Sequence, residues 1–327
     1  MKRHWLSLTL AAALLAAFCA SLLAGQHWLS PAEMLGGSGR EATLAGLILF
    51  EIRLPRALLG AMIGATLALS GATLQGLLRN PLADPALLGV SSGAALGAVL
   101  AIYYGVAGAI TLAAPVFGLT GALLTAALTL LLARGGGTLA LILSGTAVSS
   151  LATAGISLAL NLAPNPYAAY EITTWLLGSL ADRSWDHVRL AMPFMAAGAV
   201  LLFACRRALD ALSLGDLQAE SLGIDVRRVR LLALAGTALG VGAATAVTGA
   251  IGFVGLVAPH LVRPLVGHRP GATLLPAALA GATLVTIADL ATRLLPVQPE
   301  LKLGVLISLA GAPFFLWLVL HLRRTAP

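Results

Sequence analysis

The chain has 327 residues, 59% of them hydrophobic and 10% charged, with a mean hydropathy of +0.94. No single water-soluble core hides that much apolar surface, so the composition excludes a soluble globular protein and points to an integral membrane protein. The net charge of +7 does not signal nucleic-acid binding, because 18 of the 20 basic residues are arginines scattered through short loops without a dense basic stripe, a pattern that membrane orientation explains better.

Apolar stretches of spanning length occur at 5–25, 57–78, 86–104, 108–133, 138–161, 190–206, 230–249, 250–266, 271–292 and 303–322. They are far longer than the alternating strands of about ten residues that build a barrel, so the reading is an all-α polytopic protein of about ten transmembrane helices. One transmembrane domain over 1–327 is the natural organisation. The opening "MKRHWLSLTLAAALLAAFCASLLAG" has the outline of a signal peptide, but Phe18 before Cys19 is too bulky for lipoprotein processing, and a retained first span is expected. With a cytoplasmic N-terminus, 13 of the 20 basic residues fall inside, among them Arg79, Arg134, Arg206, Arg207, Arg227 and Arg228. That majority favours an even number of spans, with both termini in the cytoplasm. "EIRLPR" (Glu51 to Arg56), at the mouth of the second span, then faces outward.

Two segments resemble each other. "SGATLQGLLRNP" (Ser70 to Pro81) and "TGAIGFVGLVAP" (Thr248 to Pro259) each carry a hydroxyl residue, Gly-Ala, a later Gly-Leu and a proline ten residues after the first glycine, with the middle glycine displaced by one. They end spans of opposite direction, the pattern of an inverted internal repeat. The pairs Gly60/Gly64, Gly93/Gly97 and Gly236/Gly240 predict close helix packing.

Residues suited to chemistry are scarce. No nucleophile, acid/base pair or metal cluster stands at convincing spacing, so neither an enzyme nor a cofactor site is read from the chain. Cys19 and Cys205 lie in apolar segments and act as small hydrophobes; His260 stands alone at the inner end of a span. Asp289 is the one plausible in-span acid, and Arg293 four residues later shares its helical face and pairs with it. A phosphate-binding loop needs Gly-Lys-Ser/Thr, whereas the only lysines are Lys2 and Lys302, so any ATPase is a separate subunit. The loop "RRALDALSLGDLQAESLGIDVRRVR" (Arg206 to Arg230), punctuated by Gly215 and Gly223, predicts two short amphipathic helices, a pattern that fits a docking surface and a solvated surface loop equally.

"RLPRALLGAMIGATLALSGATLQGLLRNPLADPALLGVSSGA" (Arg53 to Ala94), "GAIGFVGLVAPHLVRPLVGHRP" (Gly249 to Pro270) and "LKLGVLISLAGAPFFLWLV" (Leu301 to Val319) closely resemble the FecCD-type permeases, the membrane subunits of ABC importers for ferric siderophores, haem and cobalamin. The resemblance runs along almost the whole chain. It implies a ten-span permease of the bacterial inner membrane that homodimerises, binds two cytoplasmic ATPase copies and receives cargo from a periplasmic binding protein. Arg53, Arg56 and Arg293 match the arginines that grip glutamates of that protein, a role that suits exposed guanidinium forks. Within 206–230 the resemblance assigns the ATPase contacts to Leu217, Ala219, Glu220 and Gly223. Thr138, after "RGGG", matches the cytoplasmic gate, where its neighbour is Leu139 instead of a second hydroxyl residue. The implied pathway follows the dimer axis between spans 5 and 10, lined by small side chains such as Ser144, Thr146, Ser149 and Ser150. The reading is import of an iron chelate or cobalamin; an ion-gradient-driven secondary transporter is the alternative, opposed by the lack of mid-membrane acids.

Overall fold

A computed structural model describes residues 2–25, 40–134, 136–297 and 299–325; Met1 and Gly135 of the "RGGG" run lie outside the described residues. Every regular element among the described residues is helical. In chain order these are α1 (Lys2–Leu23), α2 (Arg40–Leu47), α3 (Leu54–Leu77), α4 (Val90–Tyr103), α5 (Val106–Ala109), α6 (Ala113–Leu132), α7 (Thr138–Asn161), α8 (Pro166–Leu176), α9 (Trp185–Ala204), α10 (Arg206–Leu212), α11 (Asp216–Ser221), α12 (Val226–Thr248), α13 (Val254–Val262), α14 (Pro270–Leu294) and α15 (Leu303–Thr325). Among the described residues, seven stretches are long and apolar enough to cross a bilayer: those of α1, Leu44–Leu77, α6, α7, α9, α12 and α14; α4 and α15 offer shorter apolar ones.

Two spans sit at the centre. α3 and α12 are buried on nearly all sides, whereas α1, α6 and α7 turn much of their surface outward. α3 lies along α14, with Gly64 against the backbone of Gly281, and α4 packs on α6 where Gly93 and Gly97 meet Thr125 and the Phe117 carbonyl. Gly236 faces Gly198 of α9 in the same way. Apart from Gly60, which meets only the Leu180 side chain, the paired glycines serve close helix approach, where van der Waals contact replaces the hydrophobic drive that lipid cannot supply.

The second span departs from expectation. Instead of beginning at a loop mouth near residue 57, the helix runs unbroken from α2 through a π-helical stretch, Ile48–Arg53, into α3. Pro55 cannot donate to the helical ladder, and the widened turn before it absorbs that interruption. "RLPR" thus lies within a helical rod.

The expected span at 250–266 is also different: the helix proper is only Val254–Val262. Five residues of irregular backbone, 249–253, precede it inside the apolar run, with Gly249 and Phe253 both at positive φ. Irregular backbone at such depth is tolerated when protein satisfies it. Here Ser179 N–H caps the Thr248 carbonyl that ends α12 (2.8 Å), and within the stretch Thr248 Oγ1 donates to the Gly249 carbonyl (3.1 Å) and Val254 N–H to the Gly252 carbonyl (2.8 Å). Gly249, at φ 77° and ψ −169°, sits in a region only glycine occupies comfortably, and a Cβ there would strike the Trp175 carbonyl oxygen.

The two resembling segments lie against each other with different backbones. Gly71 in mid-α3 touches the Gly255 backbone, Gln75 Nε2 reaches the Gly255 carbonyl at 3.4 Å, and Arg263 bonds the Gln75 side chain. The stretch between the fifth and sixth expected spans contains α8; Asn165 caps it by accepting from Ala168 N–H (2.9 Å), and Pro166 takes the first helical position.

Candidate functional site

Three features lie where the sequence placed function, and the structure changes the reading of each. At the end of the bundle where α3 begins and α14 ends, Arg53, Arg56 and Arg293 come together around a cavity of about 500 Å³ that is also lined by Glu300. They are not exposed forks, as the sequence led us to expect. Arg53 is 7% exposed, and the side chains of Arg56 and Arg293 are 12% and 9% exposed.

Each guanidinium has an internal task. Arg53 Nη1 donates to the carbonyls of Leu22 (2.9 Å) and Leu23 (2.7 Å). Arg293 Nη1 donates to those of Ser21 (3.0 Å) and Ala24 (3.3 Å). These are the orphan carbonyls at the C-terminus of α1, where the helix dipole also favours a cation. Arg56 Nε forks onto both Asp289 oxygens (2.9 and 3.1 Å) and its Nη2 bonds Glu300. Asp289 is 2% exposed and also pairs with Arg293 Nη2 at 3.3 Å, as its spacing predicts. Among the described groups, Arg56 and Arg293 thus share the carboxylates of Asp289 and Glu300. Glu300 is the carboxylate nearest solvent, with its side chain 36% exposed. Burial alone would raise its pKa, but the bond from Arg56, helped by Thr292 and the Arg293 charge, holds it below the ordinary value of 4.5.

At the opposite end, where α3 finishes, 206–230 forms the two short helices that its pattern predicts, α10 and α11. Asp216 ties α11 down, accepting from Arg79 at 3.0 Å and from Arg230 at 2.7 Å. Asp210 accepts from Gly271 N–H (2.9 Å) and Arg206 donates back to the Gly271 carbonyl (3.1 Å), fixing α10 to the start of α14. Leu217 is 76% exposed, and Glu220 and Gly223 are also exposed. Ala219 is fully buried, so its assignment as a surface contact is corrected: it packs α11 down and leaves its neighbours facing out.

The third feature is α7. Thr138 and Leu139 open it, with Leu139 69% exposed. Thr146, Ser150, Thr153 and Ser157 fall at helical spacing on its exposed face. Thr146, Thr153 and Ser157 donate to the carbonyls of Ile142, Ser149 and Thr153, four residues back (2.8 to 3.0 Å). Thr146, Ser149 and Ser150 line a cavity of about 340 Å³ against the 3-10 turn Pro85–Leu88; Ser144 lies outside it. Ser149 is held by Ser92 Oγ at 3.0 Å. The continuation of the stripe to Thr153 and Ser157 was legible as a four-three-four hydroxyl spacing but was missed. The helix has no titratable residue along its length.

Comparison with known proteins agrees with this architecture. The model of the FecCD transport family matches residues 13–321. The hemin transport system permease HmuU of Yersinia pestis is 41% identical over 285 residues, covering 85% of this chain and 84% of its own length. The vitamin B12 import system permease BtuC of Escherichia coli is 37% identical over 325 residues, covering 98% and 96%. A solved structure described as an inward-facing ABC transporter of metal-chelate type superposes with a TM-score of 0.87 at 32% identity, over 96% of this chain and 98% of that one. This chain belongs to the FecCD transport family and is a membrane-spanning permease subunit of an ABC importer, with ATP hydrolysis left to a separate subunit.

Proposed function

We propose that the chain, one transmembrane domain, forms a homodimer in a bacterial inner membrane with both termini cytoplasmic. The dimer carries an iron chelate, haem or cobalamin inward, powered by two cytoplasmic ATPase copies and supplied by an acidic periplasmic binding protein. The observation that carries this reading is α7. A face of neutral hydroxyls, already turned back onto their own helix, offers polarity without strong ligands, which suits a conduit that must release a bulky cargo. Thr138 and Leu139 close its cytoplasmic end. Selectivity then resides in the binding protein. Secondary transport loses its candidate proton carrier, because Asp289 is locked between Arg56 and Arg293.

Docking uses the arginine pocket by exchange. An incoming glutamate replaces Glu300 on Arg56, while Asp289 and the α1 carbonyls keep the three guanidiniums in place. Leu217, Glu220 and Gly223 present α11 to the ATPase, whose closure moves α10 and α11 through their ties to Arg79, Arg230 and Gly271. The test is uptake by proteoliposomes holding the permease and ATPase. Chelate uptake must need ATP and the binding protein and ignore ionophores; uptake that collapses with an ionophore and continues without ATP overturns the proposal. Labelling single cysteines at 297 and 217 with an impermeant thiol reagent in spheroplasts must modify the first alone.

A further inference from the structure

A further cavity belongs to neither the arginine pocket nor the α7 face. It measures about 1030 Å³ and opens where α6 ends, α7 begins and α12 begins. Arg134, Arg227, Arg228 and Arg230 contribute its cationic lining, and Leu130, Leu131, Leu231 and Leu234 its apolar wall. Arg230 is paired with Asp216, but among the described residues no carboxylate lies within ion-pair distance of Arg134, Arg227 or Arg228. Asp225, the acidic group in the lining, is already accepting from Arg228 N–H at 2.9 Å. Leu131 and Leu231 are 63% and 53% exposed, though they flank a cavity. Along α12 the wall reaches Leu234, six residues beyond Arg228, which is about 9 Å deeper.

A cationic rim over an apolar wall matches a molecule with an anionic head and hydrocarbon tails. We propose that this cavity binds one anionic phospholipid from the leaflet on the side of α10 and α11, with its phosphate among Arg134, Arg227 and Arg228 and its acyl chains along Leu131, Leu231 and Leu234. Basic pockets between spans on the cytoplasmic side of membranes hold such headgroups, and the leucine wall running about 9 Å beyond the arginines offers acyl chains an apolar surface. The site touches the first turn of α12, directly after the segment we assign to ATPase coupling, so an occupied cavity would brace that turn.

Native mass spectrometry of the full-length chain, with phosphatidylglycerol and phosphatidylcholine of matched acyl chains, tests this. Each arginine near a phosphate contributes on the order of fivefold in affinity, so R134Q/R227Q/R228Q should weaken phosphatidylglycerol binding on the order of a hundredfold and leave phosphatidylcholine unchanged. R134K/R227K/R228K, which keeps the charge, should retain most of the binding, and R134Q alone should lose about fivefold, so the proposal stays testable if the triple glutamine variant misfolds. R207Q, an exposed inner-side control, should have no effect. Equal loss in R207Q would mean unspecific annular lipid and overturn the proposal. Displacement of phosphatidylglycerol by millimolar inorganic phosphate would mean a site for free phosphate, and displacement by the ATPase subunit would mean a protein contact; either result also overturns it.

Discussion

Replacing Asp289 by alanine removes a carboxylate that is 2% exposed and holds Arg56 through two hydrogen bonds of 2.9 and 3.1 Å and Arg293 at 3.3 Å. Taking one partner from a buried pair costs about 3–5 kcal/mol, because the remaining charge stays desolvated. Arg56 keeps Glu300 and Arg293 keeps the α1 carbonyls, so the lower end, about 3 kcal/mol, is expected. The free energy of unfolding in mixed micelles for D289A, R56A and the double variant gives the cycle. Because Arg56 and Asp289 touch, the double should fall short of the sum of the singles by about 1–3 kcal/mol. A loss below about 0.5 kcal/mol for D289A, the range of an ordinary surface change, would show that the pocket is not the buried network described here.

Three further outcomes follow from the same geometry. Glu300 has a folded pKa below 4.5, so its contribution should be complete above pH 4.5 and fade as pH falls through the depressed value; E300Q should abolish that acid-side slope in unfolding measurements. G249A forces an alanine into a positive-φ, extended-ψ conformation against the Trp175 carbonyl and should cost about 1–3 kcal/mol or more in thermal unfolding; an unchanged melting curve would refute the strained corner. L217A should leave stability within about 0.5 kcal/mol but lower ATPase stimulation, whereas A219L should overpack α11 and cost about 1–3 kcal/mol. If A219L is as stable as wild type, the inward orientation of Ala219 is wrong.

The sequence alone determined the class of the molecule and most of its spans, because the bilayer imposes a length and a polarity that are written locally, residue by residue. The two helices of 206–230 were legible for the same reason: Gly215 and Gly223 mark the ends of short amphipathic runs. The Asp289–Arg293 pairing followed from one helical turn of spacing. What needed the tertiary structure is the set of contacts between residues distant in sequence. The burial of Arg53 and Arg293 against the last turn of α1, some thirty and two hundred seventy residues away, leaves no trace in either local stretch. Nor does the partnership of Arg56 with Glu300, or the choice of Ala219 over Leu217 as the buried side of α11. The irregular backbone at 249–253 was hidden as well, since an apolar run reads the same whether its backbone bonds are met within a helix or by a tight turn and the Thr248 hydroxyl. Composition fixes which solvent a segment prefers; only packing decides which polar atoms satisfy one another inside it.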